Sequence, residues 1–281
     1  MVQNSLSKLN ALLGKIKSFR LVKFRYFYIE KISYPLFLLK YRLFAKLQNK
    51  TIVHFLHIGK TGGTAIKNAL KNQKKPFIND KYIIFSHPHF IGLHHVMKGE
   101  RVFFFIRNPI DRFVSGFYSR KRKGMPNIYN EWNAEEAKAF NKFSTPNELA
   151  ESLTSKNKKN RNIAYDALYN IGHLRTSYWD WFKNKALLQK HFDDIIFVGS
   201  QRNLNEDFEV LKKILGIPET YQLPTDKVNK HKNPENTDKH LSDKAIKNLE
   251  WWYEKDFYFL DLLNTRYKDS STIDMNSNYG T

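Results

Sequence analysis

Thr51-Ile-Val-His-Phe-Leu-His-Ile-Gly-Lys-Thr-Gly-Gly-Thr-Ala-Ile-Lys-Asn-Ala-Leu70 decides the fold class. Residues 51–58 form a short run rich in apolar and β-branched side chains, which reads as a buried strand. Gly59-Lys-Thr-Gly-Gly63 breaks it, and Ile66 and Leu70 then recur on one helical face. Strand, glycine-rich loop and helix together make an anion cradle. Glycines let the backbone approach, loop N–H groups face the charge, and Lys60 adds a cation. The order is not that of a Walker A loop, which needs Gly, four residues and then Gly-Lys-Ser/Thr. Here the lysine precedes the glycine pair, which weakens an ATPase reading. The plainer alternative is a tight turn with a surface lysine.

A second unit follows at 101–123. Val102-Phe-Phe-Phe-Ile106 is a continuous apolar strand with Arg107 at its carboxyl end. Asn108 and Pro109 predict a helix start, as cap and first residue. Asp111 falls in the first turn, where the helix dipole favours an acid. Phe113 and Phe117 share a face, with Ser115 off it. In open α/β sheets ligands bind at the carboxyl ends of strands, so Arg107 and Ser115 suit a second phosphate. An Arg107–Asp111 ion pair is the structural alternative.

Both units resemble one family. His57-Ile-Gly-Lys-Thr-Gly-Gly-Thr64 is similar to the 5′-phosphosulfate loop of sulfotransferases that use 3′-phosphoadenosine 5′-phosphosulfate (PAPS). Phe105-Ile-Arg-Asn-Pro-Ile-Asp-Arg-Phe-Val-Ser-Gly-Phe-Tyr118 resembles their 3′-phosphate motif. The resemblance points to carbohydrate sulfotransferases, the group of heparan sulfate 2-O- and 6-O-sulfotransferases and bacterial relatives. It runs more weakly to residue 260. Asp194–Gly199 resembles a later strand, followed by a helix with Leu204, Phe208, Leu211 and Leu215 in register and ended at Gly216. Asn229–Lys232 resembles a segment closing over the nucleotide.

The resemblance implies an α/β, P-loop-like three-layer fold with a central, mostly parallel sheet flanked by helices. It implies that Lys60, Thr61, Gly62, Gly63, Thr64 and Ala65 hold the 5′-phosphosulfate, and Arg107 and Ser115 the 3′-phosphate. PAPS is then the donor, PAP (adenosine 3′,5′-bisphosphate) the product, and no metal is required. The acceptor is a hydroxyl of a carbohydrate, which can be anionic.

Sulfuryl transfer needs a base for the acceptor hydroxyl, and a histidine with a near-neutral pKa suits the task. Ser86-His87-Pro88-His89-Phe90 follows the apparent strand Tyr82–Phe85. It resembles the His-x-His segment of heparan sulfate 2-O-sulfotransferases, which favours His89 as base, with His87 orienting substrate or base. His-x-His can also bind zinc, with His94-His95 nearby, but a third ligand is not evident. Hydrogen-bonded turn histidines are the structural alternative. His54 and His57 read as structural.

Of the 281 residues, 41% are hydrophobic and 26% charged, a globular composition. The absence of cysteine excludes disulfides, thiolate nucleophiles and Cys-ligated metals. A net charge of +20 points to a polyanionic partner. Half of it lies in residues 1–50, where 11 basic residues face one acid, Glu30. The longest apolar run there, Pro35–Leu39, is far short of the roughly 20 residues of a spanning helix. Leu6, Leu9, Leu13 and Ile16 follow helical spacing among lysines, which suits packing, peripheral membrane contact or a transit peptide. The expected location is cytoplasmic or peripheral to a membrane.

The expected organisation is a basic extension at 1–50, a sulfotransferase domain at 51–268 and a flexible tail at 269–281. Residues 126–162 read as a loop-rich, acceptor-side insertion with short helices, mobile near 155–162. Arg120–Lys123 reads as a guide for an anionic glycan or as a solvated basic face. The aromatics at 165, 169, 178, 179 and 181 read as helix core or sugar platforms, with His173 and Arg175 among them. Ser242 is read as capping a last helix that runs to about Leu263. Two other functions fit the composition. A nucleotide kinase shares the architecture but lacks Walker A order and a magnesium Asp pair. A nucleic-acid-binding protein fits the charge but lacks a motif, and no nucleic acid is expected.

Overall fold

The computed structural model describes residues 32–71, 75–126, 129–225 and 237–267. The candidate helix at 6–16, the Asn229–Lys232 segment and the 269–281 tail lie outside them. The chain divides into two compact units, residues 1–50 and 51–281. In the first, helix α1 spans Tyr34–Leu47.

In the second, both strand–loop–helix units form where the sequence places them. Strands β1 (Thr51–Leu56), β2 (Phe77–Ile78), β3 (Tyr82–Ser86), β4 (Arg101–Ile106) and β5 (Ile195–Ser200) build one sheet of order β2-β3-β1-β4-β5. β3, β1, β4 and β5 are parallel, and β2 alone is antiparallel. Side chains alternate across β4, so its phenylalanines serve two cores. Phe103 and Phe105 pack with helices α2 (Gly63–Ala69) and α10 (Leu204–Leu215), the latter ended by Gly216 at φ +60°. Val102, Phe104 and Ile106 pack with α8 (Trp179–Phe182), α9 (Lys185–Lys190) and α12 (Glu254–Arg266). The result is three α/β layers around a mostly parallel sheet. Each fully buried phenylalanine contributes about 1.5–3 kcal/mol.

Helix α3 (Pro109–Lys121) starts as read: Asn108 caps it by accepting from the Ile110 N–H at 2.9 Å, with Pro109 first. A third core joins its Phe113 and Phe117 to α4 (Ala134–Lys142), α5 (Pro146–Ser152), α6 (Lys158–Asn170), the short α7 (Gly172–Arg175) and α11 (Asp243–Trp252). So, among the described residues, 129–162 is mainly helical and packed. The stretch 155–162, read as mobile, instead opens α6, because Asn157 accepts from the N–H groups of Lys159 and Asn160. The last helix also differs from its reading. Ser242 caps α11, but the helix breaks at Tyr253, whose buried hydroxyl donates to the Leu174 carbonyl at 2.7 Å. The break turns Asp256 inward.

Asp256 is fully buried and accepts from Arg112 at 2.6 Å, from the Ser177 hydroxyl and from the Tyr178 N–H at 2.8 Å. This ion pair ties α3 to α12 through the 176–178 turn. Among the described residues, no helix is long and apolar enough to cross a membrane.

Asp256→Ala strands a buried guanidinium. It is expected to cost about 3–5 kcal/mol of stability, read by denaturant unfolding.

Candidate functional site

The sheet order puts four carboxyl strand ends in a row: the histidines after β3, the glycine loop after β1, Arg107 after β4 and Ser200–Arg202 after β5. The strand order changes direction around β1, the place where open α/β sheets bind ligands.

The loop is built for close backbone approach. Gly62 caps α2 at φ +88°, a conformation that favours glycine. A Cβ on Gly63 would fall 2.2 Å from Cδ2 of His57, so only glycine fits there. Lys60 itself sits at φ +68°, uncommon for a residue with a side chain and a form of strain concentrated at functional sites. Thr61 is buried and donates its hydroxyl to the Ile58 carbonyl at 3.0 Å, so it shapes the loop from within. The Ala65 N–H is used by the Gly62 carbonyl at 3.0 Å, which makes Ala65 part of the turn. Thr64 is half-buried at the start of α2.

Arg107 donates to the Lys60 carbonyl at 3.4 Å, which joins the two motifs read from the sequence. Burial lowers the Lys60 pKa to about 8, and the nearby charges of Arg107 and Arg122 push the same way. Lys60 and Arg107 therefore lie together, with the charge of Arg122 near enough to act on Lys60, a grouping that suits a multiply charged anion. Arg107 also lines a cavity of about 170 Å³ with Asn108, Ser200, Gln201 and Arg202, closed on one side by α12. Ser115 is buried on α3, away from that lining.

His89 joins this group and His87 does not. The His89 Nδ1–H donates to the His57 carbonyl at 2.7 Å, and the two rings lie 3.9 Å apart. A carbonyl only accepts, so Nδ1 carries the proton and Nε2 keeps its lone pair. His89 is exposed, yet partial loss of hydration around its ring lowers its pKa, as do the charges of Lys67 and Lys60. The ring is thus neutral at neutral pH. His87 is fully buried. The Glu100 carboxylate accepts from His54 Nε2 at 2.9 Å, which leaves His54 Nδ1 to accept from His87 Nε2 at 2.7 Å. Among the described residues, no cluster of three or more His, Cys, Asp or Glu is arranged to hold a metal.

Sequence reading gave Tyr178 as core or sugar platform and missed its bonds to Arg107. Its hydroxyl donates to the Arg107 carbonyl at 2.5 Å and accepts from the Arg107 N–H at 2.8 Å. Burial pushes the phenol up to about 12, so it stays a donor. Asp256 holds the Tyr178 backbone, and the Arg112 guanidinium lies 4.6 Å from its ring centroid. The basic run at 120–123 also resolves differently from its reading. Arg120 is buried against Glu136 at 2.5 Å, Lys123 pairs with Glu131, and Arg122 is close enough to act on Lys60. Of the aromatics, Tyr178 and Trp181 are core, while Tyr165 and Tyr169 pack on Trp252. His173 is half-buried and Arg175 exposed on α7.

The sulfotransferase family model matches residues 46–262, the span that contains the sheet, the loop and both cationic motifs. No curated protein matches the chain.

The lowered Lys60 pKa is a folding cost. Unfolded lysine holds its proton to about 10.5, so between about 8 and 10.5 the unfolded chain binds more protons and wild-type stability climbs with pH. Below pH 8 the cost is constant. Lys60→Met is expected to melt at a higher temperature at pH 7 and to lose that part of the alkaline climb, read by thermal unfolding across pH 7–11.

Proposed function

The chain belongs to the sulfotransferase family, and on that premise we propose that it transfers a sulfuryl group from PAPS to a carbohydrate hydroxyl. Membership makes it a transferase of sulfuryl groups. The observation that carries the finer reading is the contact of Lys60 with Arg107 at adjacent strand ends, within electrostatic reach of Arg122 at the end of α3 and of His89. A donor with phosphate or sulfate at both ends of its nucleoside matches that cation count and spread.

When bound, PAPS supplies an activated sulfuryl group and leaves as PAP. The residues proposed to hold its 5′ end are Lys60 and the 61–64 loop, supported by Ala65. Arg107 is proposed for the 3′-phosphate with Ser115, and the cavity beside Arg107, which Asp111 and Asp261 also line, is proposed to take part of the nucleotide. Lys60 and the loop N–H groups offset negative charge as it develops on the departing phosphate oxygens. His89 takes the acceptor proton through Nε2, and the His57 carbonyl fixes the ring in the tautomer that can accept it. His87, with no exposed edge, supports the segment that presents His89. The helical segment from 126 to 162 is proposed as the acceptor side.

Two measurements test this. Thermal unfolding with PAP, AMP or Mg-ATP should show stabilisation by PAP above both controls. A ligand at a hundredfold over its Kd adds about 2.7 kcal/mol. A response to Mg-ATP and none to PAP would instead mark a phosphotransferase. His89→Ala should keep the PAP response and lose about 10²–10⁴-fold in turnover on a panel of glycans. In the wild type the acidic limb of kcat/KM should fall below the ordinary histidine value of about 6.5. Full activity in His89→Ala removes it as base.

Tyr178→Phe removes a bond pair to the Arg107 backbone without changing the core volume. PAP affinity should weaken about 3–10-fold, the effect of losing a net hydrogen bond of about 0.5–1.5 kcal/mol, with AMP affinity changed less. Equal losses for PAP and AMP would show that Tyr178 does not act through Arg107.

A further inference from the structure

Helix α1 carries an apolar stripe on its outer side. Leu36, Leu39, Leu43 and Leu47 fall within about 80° of arc at 3.6 residues per turn. They are 61%, 50%, 58% and 82% exposed, while Leu38 and Ala45, on the opposite side, are buried. A surface helix ordinarily turns its leucines inward. Here four consecutive members of one stripe face solvent, and exposed Ile32 continues it toward the N-terminus. Contiguous apolar exposure of this kind marks an interaction surface.

The flanking charges identify what it meets. Lys40 borders the stripe on one side and Lys46 on the other, both exposed, and Lys50 follows just beyond the helix. No Asp or Glu occurs from residue 31 to 50. Two copies packed on this stripe would bring lysines against lysines with no acid to pair them, whereas helix–helix seams are flanked by opposite charges. An anionic bilayer complements both features at once: leucines enter the boundary between headgroups and acyl chains, and lysines meet lipid phosphates. The helix is 14 residues long, too short to span a bilayer but suited to lying in its plane.

We infer that α1 is a membrane-surface anchor that lays its Leu36–Leu47 face into an anionic bilayer. This is independent of the reaction assigned to the other unit.

The test is co-sedimentation of the full chain with vesicles of phosphatidylcholine alone and of equimolar phosphatidylcholine and phosphatidylglycerol. Wild type should bind the anionic vesicles and bind phosphatidylcholine far more weakly. Leu39→Ser/Leu43→Ser should weaken binding to the anionic vesicles about tenfold or more. Lys40→Gln/Lys46→Gln should weaken it less and flatten its salt dependence. The substituted leucines and lysines are all exposed, so unchanged circular dichroism and melting temperature show that the variants fold. Absence of wild-type binding overturns the inference. So does a leucine variant that binds as wild type, which would place the contact elsewhere in the chain. A wild-type dimer that the leucine variant dissociates, with no vesicle binding, would show the stripe to be a contact between copies.

Discussion

The parallel pairing of β1 between β3 and β4 is the constraint on which the site depends. Parallel neighbours end at the same edge, so pairing alone brings together residues far apart in sequence: His89, Lys60, Arg107 and Ser200. The strands can be parallel because helices cover both faces, which explains why β1 is buried on both faces and why β4 reads as a continuous apolar run after Arg101. The glycine pair then serves the chemistry and the packing together. Gly63 leaves space for the His57 ring, and His57 in turn offers its carbonyl to His89. A larger residue at 63 would disturb the loop and the histidine through one contact.

The cationic end of the sheet is costly to the free protein. Lys60 is half-buried with the charges of Arg107 and Arg122 nearby, and its pKa is lowered first by lost hydration and then by their repulsion. Lys60 also adopts a left-handed backbone. Such a loop needs rigid support from outside, which Tyr178 supplies by holding both backbone groups of Arg107. Tyr178 is fixed in turn by Asp256, and Asp256 is neutralised by Arg112 on the helix that Arg107 precedes. A buried ion pair thus stands behind the binding edge and holds Tyr178 in place. An anion at the edge gains what the free protein lacks there.

Much of the frame was legible because it is local. The strand–loop–helix unit at 51–70, the Asn108–Pro109 start and the Gly216 stop each depend on a few adjacent residues, and the structure shows all three. The family resemblance rested on the same short motifs, and the family match spans them. What escaped depends on distance. Nothing near Tyr178 announces a bond to a residue 71 positions earlier. The run at 120–123 looks uniform as sequence, yet Arg120, Lys121 and Lys123 each meet a different partner. The break at Tyr253 is likewise marked by no glycine or proline, and the Tyr253 hydroxyl there reaches the remote Leu174 carbonyl. The Lys/Asn content of 155–162 suggested mobility, but one well-placed Asn157 cap suffices to start α6.

The two histidines of His87-Pro88-His89 show how sheet geometry separates residues that composition treats alike. The His87 N–H still donates to the Phe55 carbonyl at 3.2 Å, so His87 continues the ladder between β3 and β1 and its ring stays in the interior. There it meets His54, which stands on the neighbouring strand. Pro88 has no N–H to extend the ladder. The chain leaves the sheet at that point, and His89 emerges above the β1 loop. The division of labour therefore comes from where pairing stops. The last residue in the ladder closes a buried Glu100–His54–His87 chain, and the first beyond proline gains a free Nε2 within electrostatic reach of Lys60.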